Sequence, residues 1–144
     1  MDTRNKDLSY FKLRLQEVLN TSFPEKAHDK KFIEQRSGWA AEAYENAFLS
    51  GSSVEECDYI ANDILFEGLH FSRFDTIFQV VCNEFDTIMA EEELYPFALS
   101  MLPVCESIFT KYELTDDFAF THEYELLYTE ITGTIALYIE EHGI

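Results

Sequence analysis

Glu67-Gly-Leu-His70 is an E-x-x-H run, a spacing that sets a carboxylate and an imidazole on one face of a helix. Di-iron carboxylate bundles use two such runs together with two further glutamates. Neither His122 nor His142 has an acid three residues before it, and Gly68 inside the run is placed to end a helix. Glu67 and His70 are therefore the metal-site candidates of an alternative reading, a small metal-binding protein or enzyme. The plainer reading is a helix-end histidine that favours the terminal carbonyls. His122-Glu123 and Glu141-His142 are adjacent pairs, which do not face each other on a helix. No nucleophile elbow is present, and five glycines in the chain leave no phosphate-cradling loop. No catalytic residue and no cofactor are assigned, and an enzyme is disfavoured.

The other candidates are for recognition. Leu114-Thr-Asp116-Asp117-Phe118 is followed by Phe120, Tyr124 and Tyr128, so an acidic turn abuts a run of rings. Read functionally, the acids steer a basic partner and the rings anchor it. Read structurally, Thr115 or Asp116 caps a helical turn and the rings pack inward. Glu91-Glu92-Glu93 has the same two readings, a solvated helix start or a contact patch.

Charge separates the chain into two parts. Residues 1–50 hold eight basic residues (Arg4, Lys6, Lys12, Arg14, Lys26, Lys30, Lys31, Arg36) against eight acids. Residues 51–144 hold twenty acids against Arg73 and Lys111, so the whole net charge of −18 falls there. Such a field bears on partners and solubility. The N-terminal basic residues are interleaved with acids, which argues against direct nucleic-acid binding. A hydrophobic fraction of 47% is that of a folded protein, so the acidity does not signal disorder. Aromatics at 15% exceed what a small helical interior holds easily, which places some rings at a groove or subunit interface. Cys57, Cys82 and Cys105 are widely spaced, with no basic neighbour to activate one, and read as core thiols of a reducing cytoplasm. The opening DTRNKD is followed by no apolar signal region, and the longest uncharged stretch, 94–105, is too short to span a bilayer. The expectation is a soluble cytoplasmic protein with no membrane association.

The apolar residues recur with a helical period nearly throughout. A first helix is expected from Asp7 to Asn20 on a Leu8/Phe11/Leu15/Val18/Leu19 face, and a second from Asp29 to Gly51 on Phe32/Ile33, Arg36, Ala40, Ala43/Tyr44 and Ala47/Phe48. Gly38 among small residues there suggests close approach of another element, since an interior glycine costs about 1 kcal/mol. Ser52/Glu55 or Ser53/Glu56 makes the capping box of a third helix ending at Gly68. Ser72 with Asp75 opens a fourth, which reaches Ile88/Met89. A fifth starts at Glu91–Glu93, with Pro96 tolerable in its first turn and a kink or break at Pro103. Residues 114–121 form a loop, and a last helix runs from Thr121 or His122 to Gly143. With no strand signal, repeat or linker, the expectation is all-α: one compact bundle of about six helices over 1–144, a single domain.

These segments resemble a Bacteroidales family of small helical proteins, domain of unknown function 1896. The matching stretches are LSYFKLRL (8–15), AAEAYENAFLSG (40–51), ILFEGLHFSRFDT (64–76), LPVCESIFTKYELTDDFAF (102–120) and LLYTEITGTIA (126–136). The resemblance implies an all-helical fold and a setting in gut or oral anaerobes, often beside mobile genetic elements. It implies no activity and transfers no functional residue. The leading expectation is a non-enzymatic interaction protein with an acidic, aromatic-rich surface for a protein partner or a homo-oligomer. A sharper form is a nucleic-acid mimic, whose carboxylates stand in for phosphates on a DNA-binding protein.

Overall fold

The computed structural model describes residues 7–144, so Arg4 and Lys6 of the N-terminal basic set lie outside the described residues. Six α-helices, and no strands, occur among the described residues: α1 (Leu8–Ser22), α2 (Lys30–Leu49), α3 (Val54–Leu65), α4 (Arg73–Glu84), α5 (Glu91–Phe109) and α6 (Glu123–His142). A 3₁₀ turn, Phe118–Phe120, lies in the stretch expected to be a loop. The chain divides into two compact units, one ending at Leu69 and the other running from His70 to Ile144. Each has its own apolar cluster and is described by itself.

In the first unit, Asp7 starts α1 by accepting the Ser9 and Tyr10 amides at 3.0 and 3.3 Å. Phe11, Leu15 and Leu19, one turn apart, are wholly buried, while Leu8 at the edge of that stripe is exposed. Asp29 caps α2 through the Phe32 amide, and Ile33, Ser37, Ala40 and Tyr44 form its buried face. Of the two possible capping boxes, Ser53/Glu56 forms: the Glu56 amide donates to Ser53 Oγ and the Ser53 amide to Glu56 Oε1, both at 3.1 Å. The Ser53 amide, with the Ser53 hydroxyl that also donates to Oε1 at 3.0 Å, holds the Glu56 pKa below its ordinary value. At the far end of α3, Arg36 Nη1 donates to the Glu67 carbonyl at 2.7 Å and reaches those of Ile64 and Leu65 at 3.4 Å. Its guanidinium also lies over the Phe32 ring at 4.8 Å. Arg36 thus satisfies carbonyls that a helix end leaves open.

Gly38 does not mark a close approach, because a Cβ built there would meet nothing within 4 Å. Of the small residues there, Ser37 and Ala40 are the ones that face the core, both wholly buried.

In the second unit, Ser72 Oγ caps α4 by accepting the Asp75 amide at 2.9 Å. Phe74, Ile77, Val80 and Val81 are buried from α4, and Leu127, Ile131, Ile135 and Ile139 form a one-turn-apart stripe from α6. α4 stops at Glu84 and does not reach Ile88 or Met89, for Phe85 leaves helical geometry as its C-cap. Ile88 is 49% exposed, while Phe85 and Met89 pack against the core from outside the helix.

α5 is unbroken at Pro103, and Pro96 is its sixth residue, beyond the first turn. Both prolines are exposed, so the carbonyls they leave unpaired lie on the water side of the helix. The opposite side, with Ala98, Met101, Cys105, Ile108 and Phe109 buried, holds the helix in place. Cys57 and Cys105 are buried and Cys82 is half-buried, none of them in a disulfide. Burial pushes the Cys105 thiol up to about 11, and burial with the nearby Asp86 charge raises Cys82 as well. Neither has the lowered pKa that a reactive thiol needs.

Candidate functional site: an acidic, tyrosine-lined face of the second unit

Glu67 and His70 are not on one helical face. α3 ends at Leu65, Gly68 has φ +77°, and both residues stand on the turns beyond. A second E-x-x-H run, Glu25-Lys-Ala-His28, passed unnoticed in the sequence and falls in the turn between α1 and α2. No group of three metal-ligating side chains occurs among the described residues. His70 instead faces Asp116, Nε2 to Oδ2 at 3.9 Å, with both side chains about half exposed.

That contact lies beside the acidic turn. Within the turn the structure separates the rings. Phe118 is buried, in edge contact with Phe71 (5.2 Å) and Tyr112 (5.7 Å), and so is withdrawn from any surface. Phe120, two residues on, is 89% exposed. Asp116 and Asp117 are exposed on the same turn, and Asp117 makes no side-chain cap. Phe118 acts as the plug that holds the turn, and the two acids with Phe120 are what the turn presents. Glu91, Glu92 and Glu93 are exposed in the first turn of α5, whose N-cap Ala90 offers no side-chain bond. There they complement the positive end of the helix.

Between α4 and α6 two polar pairs meet, each spaced by one helical turn. Tyr124 Oη donates to Gln79 Oε1 at 3.0 Å. Tyr128 Oη donates to Glu84 Oε2 at 2.9 Å and accepts from Asn83 Nδ2 at 3.3 Å. Burial, with Glu84 beside it, raises the Tyr128 pKa despite the Asn83 bond that favours ionisation. A groove of about 480 Å³ runs along this seam, lined by Gln79, Asn83, Tyr124, Glu125, Tyr128 and Thr129. It continues into a smaller one of about 190 Å³ that shares Gln79 and Tyr124 and reaches His70 and Asp75.

Sequence reasoning named Tyr124 and Tyr128 but missed Gln79, Asn83, Glu84 and Glu125. The available signal was the pair of amide residues, Gln79 and Asn83, four apart and so on one face of the fourth helix. Chemically the seam offers carboxylate and amide acceptors beside tyrosine rings, and none of its lining residues is basic. That is an environment for a cation.

The fold and this face define an all-α protein whose second unit presents acids and rings. The chain belongs to the family described as domain of unknown function (DUF1896), whose model matches residues 3–144. Among curated proteins nothing matches it. It is similar to a solved structure, the crystal structure of protein PG0816 from Porphyromonas gingivalis, at 42% identity and a TM-score of 0.91. That match covers 99% of this chain and 97% of the other, in keeping with the Bacteroidales family read from the sequence. No helix among the described residues is long and apolar enough to cross a membrane.

Proposed function

We propose that this protein is a non-enzymatic interaction protein whose second unit docks a basic protein partner. The observation that supports the reading most is the composition of that unit: from His70 to Ile144, fifteen acids stand against Arg73 and Lys111. Phe120, almost fully exposed on a turn with Asp116 and Asp117, supplies an apolar anchor within that field. Long-range attraction brings a basic partner in, and a desolvated ring holds it. A chain of net charge −18 repels a second copy of itself, which favours a different molecule as partner. The setting beside mobile genetic elements, implied by the family resemblance, suits a partner that is itself a basic DNA-handling protein.

The test is binding of a fluorescein-labelled basic peptide to the full chain, followed by anisotropy at low and high salt. Binding that weakens steeply with salt, and weakens again in the triple variant Asp116→Asn, Asp117→Asn, Phe120→Ala, is the expected result. Absence of binding at low salt overturns the reading.

A further inference from the structure

We infer that the groove between α4 and α6 is a slot for an arginine side chain of the partner; the inference rests on the docking reading above. Four features of the seam argue for a guanidinium in particular.

The first is acceptor geometry. Glu84 spends Oε2 on the Tyr128 hydroxyl, and its Oε1 carries no hydrogen bond among the described residues. Asn83 donates through Nδ2, and its carbonyl oxygen carries no hydrogen bond among the described residues. Glu125 is exposed on the groove wall, with no hydrogen bond or ion pair to its carboxylate among the described residues. Asn83 and Glu125 line the groove and Glu84 adjoins it through Tyr128, and acceptors so spread suit a forked donor with five N–H groups better than the point charge of a lysine.

The second is the rings. Tyr124 and Tyr128 lie with centroids 6.5 Å apart and planes tilted by 48°. A planar cation stacks on such a face, and a hydrated ammonium does so less well. The third is preorganisation. Each tyrosine is tied to α4 by its hydroxyl, and Tyr124 also packs against Phe71 and Phe118 at 6.3 and 6.4 Å. The groove walls are therefore already ordered, and binding need not order them. The fourth is charge. No cation lines the groove, and the unit around it holds two basic residues in all, Arg73 and Lys111, the latter engaged with Glu130 at 2.9 Å. An arginine entering here meets the Glu125 carboxylate, which has no ion pair among the described residues.

Hexa-arginine and hexa-lysine peptides, equally charged and fluorescein-labelled, titrated into the full chain test the inference. The arginine peptide is expected to bind about tenfold more tightly than the lysine peptide. Glu125→Gln should weaken the arginine peptide about fivefold and leave the lysine peptide within a factor of about two. Glu125 is an exposed side chain without a side-chain partner among the described residues, so this variant keeps the fold. Tyr128→Phe, which keeps the ring but releases Glu84 and Asn83, should lower the arginine preference without abolishing binding. Amide chemical-shift changes on arginine-peptide addition should cluster on residues 79–84 and 124–129.

If both peptides bind equally and Glu125→Gln changes nothing, the groove assignment is overturned while the docking reading stands. If shift changes map to the Asp116–Phe120 turn alone, the groove assignment is likewise overturned. If neither peptide binds, the docking reading itself fails and the groove assignment with it.

Discussion

Tyr112 and Glu130, eighteen residues apart, are hydrogen-bonded, the phenol donating to Oε1 while Lys111 holds Oε2 at 2.9 Å. One carboxylate on α6 therefore fixes Lys111 and Tyr112, just beyond the Thr110 C-cap of α5. The segment so fixed leads into the acidic turn, whose Phe118 packs on the Tyr112 ring. The bond to Glu130 does most to push the Tyr112 pKa up to about 12, and the same bond leads in lowering that of Glu130.

This pair gives a pH prediction with a definite sign. The Glu130 pKa is depressed, so its contribution to stability is present above the ordinary carboxylate value of 4.5 and is lost as pH falls through its folded value. The Tyr112 pKa is raised, so its contribution is present below 10 and is lost as pH rises through about 12. The stability gap between the wild type and Glu130→Gln should be widest near neutrality and close toward acid. Ultraviolet titration should show one phenol moving from about 12 toward 10 in Glu130→Gln. An unmoved tyrosine titration would show that this bond does not persist in solution.

Arg36 makes a second prediction. Its guanidinium serves the carbonyls of Ile64, Leu65 and Glu67 at the end of α3. Replacement by Met keeps an apolar stem but leaves those carbonyls to water, and should cost about 1–2 kcal/mol in urea denaturation. Arg36→Lys should recover only part of this, since a hydrated ammonium stacks less well on the Phe32 ring than the guanidinium does.

Glycines at two positions should respond with opposite sign. Gly133, inside α6, has open space where a Cβ would stand, so Gly133→Ala should stabilise by roughly 0.5–1 kcal/mol. Gly68 has φ +77°, where an L side chain is strained, and Gly68→Ala should destabilise by about 1 kcal/mol. Thermal melts of the two variants should move in opposite directions.

Pro103→Ala restores an amide that can pair with the Leu99 carbonyl in an unbroken helix. It should raise stability by about 1–3 kcal/mol. A fall would show that the proline ring makes a contact worth more than the bond it removes.

Helix identity was legible because the cues are local. Asp7, Asp29, Ser53 and Ser72 cap the helices they precede, and Gly143 closes α6 at φ +68°, all from side chains and dihedrals within a turn of their own position. The family was legible for the same reason, in stretches spread along the chain. Helix ends without a local stop were not. α4 ends at Glu84, with Phe85 and Met89 reaching the core from outside the helix, and α5 passes Pro103 because its opposite face is buried; both depend on what lies across the core.

The candidate site divides in the same way. Sequence alone determined the charge, placing fifteen acids from His70 onward, and it marked the acidic turn beside rings. It found no linker, and where the contacts close into two separate cores became visible only in the tertiary structure. Tertiary structure also decided that Phe118 goes inward and Phe120 outward, since a ring's burial depends on whether Phe71 and Tyr112 stand opposite it. It decided that Gln79 and Asn83 meet Tyr124 and Tyr128, residues forty-five apart in the chain. A periodic pattern fixes which face of each helix turns inward; which helix that face meets, and at what register, is set by packing among residues far apart in sequence.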